Sequence, residues 1–154
     1  MEKRKMKELE ILDDKGMLDY TIIPNYKIKE EFITENELKL YKVLKKVAYE
    51  LKLDIFTQVA LNRILEINNR RKQQQLRNRI DRKSIDFVLY DEKIKKIVCC
   101  IELDDPTHER EDRIERDLFL DKIFKDTIKL IRIKVQNYYD YNEILTMIKV
   151  EEER

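Results

Sequence analysis

The stretch from Ile85 to Asp104, IDFVLY-DEKIKK-IVCCIELD, decides how this chain folds. Its two flanks, Ile85 to Tyr90 and Ile97 to Leu103, are short, apolar and rich in β-branched and aromatic residues, and both are too short for a typical helix. The charged segment between them has the length of a hairpin connection. The pattern predicts an antiparallel hairpin centred near Ile94. Asp86 and Glu102 are symmetric about that centre, so they are expected to be neighbours across the two strands. Asp104 follows Glu102 by two positions and is expected on the same face, because strand side chains alternate. Three carboxylates then converge at the open end of an apolar hairpin. Like charges placed together are costly unless something neutralises them. A divalent cation does this, and an all-oxygen donor set suits Mg²⁺ or Mn²⁺. The plainer alternative is that these acids end strands at the surface and pair with nearby lysines.

The rest of the sequence bounds the setting. The chain has 154 residues, 42% hydrophobic and 42% charged, with a formal net charge of +1. That composition fits one folded, highly charged domain and excludes a disordered chain. A net charge near zero supplies no global attraction to nucleic acid, so any such binding has to come from local charge. Cys99 and Cys100 are adjacent on a predicted strand and should point to opposite faces, which argues against a bond between them. Free thiols fit a reducing, cytoplasmic compartment. The basic start, Met1 to Lys7, is followed by no apolar run, so neither a signal peptide nor a membrane span is expected.

Residues 1–33 read as an N-terminal arm, with a short charged helix to about residue 12 and then an irregular segment punctuated by Gly16 and Pro24. The organised domain is expected over 34–150. Thr34-Glu35-Asn36-Glu37 is a capping-box pattern opening a helix to about Leu51, with Leu40, Tyr41, Leu44, Val47, Ala48 and Leu51 on one face. Asp54 to Leu61 reads as a strand containing Gln58, residues 62–83 as a basic loop and helix, and the hairpin follows. A helix from Glu111 to about Lys125, a strand from Ile128 to Val135 and a helix from Glu143 to Lys149 complete an α/β domain. Its mixed sheet is flanked by helices, and the strand at 128 is expected to run parallel to the second hairpin strand.

Further residues carry chemistry beside the acids. His108 follows the carboxylates in a loop, where a histidine can orient or protonate a group, although a lone loop histidine is often plain surface. Glu37 lies on the apolar face of its helix, close enough to reach a metal-bound water, and the capping box also explains it. Asp117 and Asp121 sit one helical turn apart with Arg116 and Lys122 close by, an arrangement that ordinary helix ion pairs account for. Acids on the core-facing side of a helix nevertheless often meet an active-site edge, which keeps Asp117 and Lys122 among the catalytic candidates. Between residues 63 and 83, Arg63, Arg70, Arg71, Lys72, Arg77, Arg79, Arg82 and Lys83 oppose only Glu66 and Asp81. Such a stripe is a source of sequence-independent affinity for phosphates, and this one leads straight into Asp86.

Taken together, these residues resemble the PD-(D/E)XK, or restriction-endonuclease-like, nuclease superfamily over roughly residues 34–135. The nearest branch resembles the very-short-patch-repair endonucleases, which carry a Glu-x-Asp segment with a histidine a few residues later, as in Glu102-Leu103-Asp104 and His108. Glu37, Gln58, the Asp86 to Leu89 strand and the Arg116-Asp117 pair fit the same pattern. The resemblance implies a restriction-endonuclease-like sheet and metal-dependent hydrolysis of nucleic acid, more readily DNA. It implies Mg²⁺ or Mn²⁺ on Asp86 and Glu102, with Asp104 as a third ligand or water acceptor and His108 as general acid/base. Glu37 and Gln58 would support them, and a homodimer or partner domain would help choose the target. The sequence departs from the superfamily at Asp104, which stands where a lysine is usual, leaving His108, Lys122 or Arg132 to supply the missing charge. The alternatives are a non-catalytic nucleic-acid-binding module of the same fold and a protein-interaction domain.

Overall fold

The computed structural model describes residues 15–17, 26–105 and 111–149. The chain divides into two units, Met1–Phe32 and Ile33–Arg154. In the first, the described residues form neither helix nor strand, and the expected helix over 1–12 lies outside the described residues.

The second unit contains helix α1 (Glu35–Leu51), strand β1 (Asp54–Ala60), the short helix α2 (Leu61–Ile64), one turn of 3₁₀ helix (Arg70–Lys72) and helix α3 (Gln73–Ile80). Strands β2 (Ser84–Asp91) and β3 (Lys96–Asp104), helix α4 (Glu111–Phe124), strand β4 (Lys129–Lys134) and helix α5 (Tyr141–Lys149) follow. The strands form one mixed sheet in the order β1-β2-β3-β4. The β1–β2 and β2–β3 pairs are antiparallel, and β3–β4 is parallel through the α4 crossover.

Local chemistry sets these elements. Thr34 caps α1, where its hydroxyl accepts the Glu37 amide and the Glu37 carboxylate accepts the Thr34 amide, so two orphan donors are satisfied reciprocally. The helix closes at Lys52, which takes the left-handed conformation with φ of 56°. The hairpin register pairs Phe87 with Ile101, Val88 with Cys100 and Leu89 with Cys99, as the symmetry about residue 94 requires. A bulge between Leu89 and Tyr90 shifts the pairing toward the turn.

The sheet is covered on both faces. On one, α1 and α5 bury Leu40, Leu44, Val47, Ile144 and Ile148 against Phe87, Leu89, Cys99 and Ile101. On the other, α2, α3 and α4 bury Leu61, Ile80, Leu120 and Phe124 against Ile85, Val88 and Cys100. The two cysteines are free, buried and on opposite faces. Among the described residues, no helix is long and apolar enough to cross a membrane.

One irregularity matters for the site. Regular alternation would place Ile85 with Phe87 and Ile55 with Val59. Instead, Ile55 and Phe87 pack in the first cluster, while Val59 and Ile85 pack in the second. Both strands change face at one level, where Gln58 of β1 has φ of 50° and drops out of the ladder opposite Asp86. A left-handed backbone at a long side chain costs roughly 1–2 kcal/mol. Gln58 is the one described strand residue that carries it, since Lys52, Arg82 and Lys95 lie in turns or caps.

Leu44 of α1 is fully buried, whereas Leu118 of α4 is 56% exposed. Leu44→Ala is expected to lower the unfolding free energy by about 2–5 kcal/mol. Leu118→Ala should change it by no more than about 0.5 kcal/mol. Urea unfolding of both variants measures the contrast, and equal effects would contradict this placement of the core.

Candidate active-site cleft

The β2–β3 ladder pairs extend only to Phe87↔Ile101. Beyond that point the Asp86 carboxylate enters between the strands, and its Oδ2 accepts the Leu103 amide at 2.8 Å. A cleft of about 420 Å³ opens there, lined by Arg82, Lys83, Ser84, Asp86, Glu102, Leu103, Asp105 and Arg116. The predicted neighbours Asp86 and Glu102 therefore line one wall together.

A chain of hydrogen bonds positions Asp86. The Gln58 side-chain amide donates to Asp86 Oδ1 at 3.2 Å and to Glu37 Oε1 at 2.7 Å, and the Ser84 hydroxyl donates to Gln58 Oε1 at 3.0 Å. The left-handed turn at Gln58 thus coincides with a side chain linking an acid of α1 to an acid of β2. Glu37 serves two ends at once, because its Oε2 caps the helix and its Oε1 takes the glutamine amide.

Glu102 is the one buried charged side chain among the described residues, 7% exposed. Both its oxygens accept from Nη2 of Arg116, at 3.1 and 3.0 Å, and the same nitrogen donates to the Ser84 carbonyl at 2.8 Å. Nη1 of Arg116 lies 3.8 Å from Asp117, which lies 3.8 Å from Arg132, and Arg132 meets Asp121 at 2.5 Å. Asp117 thus joins the cleft through Arg116, and its charge adds to the repulsion on Glu102.

Burial and mutual repulsion show in the acidities. Burial pushes the Glu102 carboxyl up to about 7, Arg116 opposes the rise and the Asp86 charge adds to it. Asp86 is also raised, chiefly by burial, with the Leu103 amide pulling it down and the Glu37 charge pushing it up. Burial holds both cysteine thiols up at about 12, which removes them as nucleophiles near neutral pH.

Other expected site residues fall differently. Asp104 is half-buried, stands opposite Lys134 of β4 and is not part of the cleft lining, where Asp105 stands instead. Among the described residues, no three acidic, histidine or cysteine side chains are grouped to hold one cation, so the expected triplet is a pair here. Here β3 stays paired with β4 through Asp104, while the β2–β3 ladder has ended at Phe87↔Ile101. Lys122 is exposed on α4 and does not line the cleft. His108 lies outside the described residues.

The basic segment separates into parts. Arg70, Arg71 and Lys72 form an exposed 3₁₀ turn capped by Asn69. Arg77 lines a cavity of about 620 Å³ with Asn62, Glu66 and Asp81. Arg82 and Lys83 line the acidic cleft itself. Sequence reasoning missed Arg116 as the partner of Glu102, yet a signal existed. Alternation puts Glu102 on the face of Cys100, which α4 covers through Leu120, and Arg116 lies one turn before Leu120.

The fold and the cleft define an α/β domain with paired, partly desolvated acids where two central strands separate. The chain belongs to the family described as protein of unknown function (DUF2726), which matches residues 29–151. No curated protein and no solved structure matches the chain.

The acidities set a pH dependence. Glu102 has an ordinary value of 4.5 and is raised to about 7, so between these the folded state keeps a proton that the unfolded chain has released. Its contribution to stability is present below 4.5 and is lost as pH rises through about 7. In chelator-containing buffer the unfolding free energy should therefore fall across that window, and Glu102→Gln should flatten the fall. Urea unfolding across pH measures it, and an identical slope in the variant would contradict the buried-acid assignment.

Proposed function

We propose that the domain is a metal-dependent, restriction-endonuclease-like nuclease that hydrolyses phosphodiester bonds, with DNA as its substrate. The observation that supports this best is the pairing of Asp86 and Glu102 on adjacent strands in an open cleft that also carries Arg82, Lys83 and Arg116. The donor set suits Mg²⁺ or Mn²⁺. Each of the four carboxylate oxygens accepts one hydrogen bond and keeps a second lone pair. Two protein carboxylates, completed by waters and substrate phosphate, are what Mg²⁺ commonly takes. A cation held by Asp86 and Glu102 would polarise a phosphate oxygen and acidify a bound water.

The chain's own residues would do the rest. Gln58 and the Leu103 amide fix the direction of the Asp86 carboxylate, and Glu37 fixes Gln58. Arg116 holds Glu102 and keeps positive charge at the cleft, which the sequence, with Asp104 at the position of the superfamily lysine, does not supply from β3. Arg82 and Lys83 draw a phosphate toward the acids, and Arg70, Arg71, Lys72, Arg77 and Arg79 extend the backbone contacts. His108 is the candidate to pass a proton to the leaving oxygen. Choice of target falls, on this reading, to a second copy or a partner domain, and the free buried thiols suit the cytoplasm.

A second reading, a nucleic-acid-binding module without catalysis, is favoured by one observation. Arg116 already contacts both oxygens of Glu102. Cleavage decides between the two. With Mg²⁺ or Mn²⁺ the wild type should cut DNA, and chelation should stop it. Asp86→Ala and Glu102→Ala should lose activity by orders of magnitude and still bind DNA, while His108→Ala should slow cleavage by ~10²–10⁴-fold. DNA left intact by well-folded wild type with either metal, but still bound, would favour the binding module.

A further inference from the structure

A second cavity adjoins the acidic cleft. It measures about 240 Å³ and is lined by Arg79, Lys83, Glu115, Arg116 and Phe119. Lys83 and Arg116 also line the cleft, so the two spaces share a wall. Neither Arg79 nor Lys83 has an acidic partner among the described residues, and the Lys83 ammonium lies 5.5 Å from the centre of the Phe119 ring. Phe119 is half-buried, which presents part of the ring to the cavity.

Two unpaired cations beside an aromatic surface match the chemistry of a nucleotide, whose phosphate takes the charges and whose base takes the ring. At about 240 Å³ the cavity can seat the base and phosphate of one nucleotide, the rest of which would extend into the adjoining cleft. A cation resting over a partly exposed ring is weakly held, and a phosphate gives Lys83 a stronger partner while freeing the ring for a base. Glu115 is exposed at the cavity and disfavours a second phosphate there.

We propose that this cavity binds one unpaired nucleotide next to the reacting phosphate, with its phosphate on Arg79 and Lys83 and its base against Phe119. The inference deepens the nuclease reading, on which it rests for DNA as the ligand. It specifies a substrate with a single-stranded or frayed segment at the cleft.

The test is fluorescence anisotropy of the full chain with labelled oligo-dT and with a blunt duplex of equal length, in chelator at one fixed low salt concentration. Oligo-dT should bind more tightly. Phe119→Leu keeps an apolar side chain but removes the ring, and it should weaken oligo-dT by about tenfold while leaving the duplex unchanged. Arg79→Ala removes an exposed side chain that the core does not need, and it should weaken oligo-dT and lower its salt slope by about one. If Phe119→Leu melts far below wild type, Arg79→Ala carries the test by weakening oligo-dT by a larger factor than the duplex, and equal weakening of both overturns the proposal. Preferential duplex binding, no DNA binding at all, or unchanged oligo-dT affinity in a folded variant overturns the proposal. Because the readout needs no hydrolysis, the two readings fail separately. Phe119-dependent binding without cleavage keeps the subsite and sinks the nuclease. Cleavage with ring-independent binding sinks the subsite alone.

Discussion

The meeting of the Glu102 carboxylate with the Arg116 guanidinium holds the cleft together. A carboxylate 7% exposed between a sheet and a helix is costly to ionise alone, and removing one partner of such a pair commonly costs several kcal/mol. Arg116 answers that cost with one nitrogen, which also takes the Ser84 carbonyl that the separating strands leave open. The same side chain continues through Asp117 and Arg132 to Asp121, tying α4 to β4. The helix is thereby fixed over the sheet by charge at its Arg116 level and by Leu120 and Phe124 below it.

The second constraint is the left-handed turn at Gln58. A strand that kept its alternation would carry Val59 to the α1 face and would turn the Gln58 amide away from one of its two acids. The reversal of facing at Gln58 and Asp86 lets the amide span Glu37 and Asp86 while Ile85 and Val59 fill the opposite core. Backbone strain of this kind persists where surrounding contacts over-determine it, and here it sits at the acids on which the functional reading depends.

Much of this was legible in the sequence because it follows from periodicity. The hairpin symmetry about Ile94 brought Asp86 and Glu102 to one end of the hairpin, where they line the same cleft, the capping box placed Glu37, and adjacent cysteines in a buried strand took opposite faces. What could not be read was where the ladder stops. The β2–β3 ladder ends at Phe87↔Ile101 while β3 and β4 stay paired through Asp104, and the cleft that opens there is lined by Asp105 rather than Asp104. Arg116 and Lys122 are cations on one helix, but only Arg116 lies one turn before the buried Leu120, so it meets Glu102 while Lys122 stays in solvent. The division of the basic segment between the cleft, its neighbouring cavity and an exposed turn also depends on three-dimensional placement.

The most direct measurement is calorimetric titration of Mn²⁺ into the metal-free protein near neutral pH, repeated in buffers of differing ionisation enthalpy. Burial raises Glu102 to about 7, so a cation shared with Asp86 should drive off part of a proton as it binds. Saturable binding with fractional proton release is expected, abolished in a folded Asp86→Asn variant. Absence of binding, or binding that Asp86→Asn leaves unchanged, would contradict a cation shared by Asp86 and Glu102.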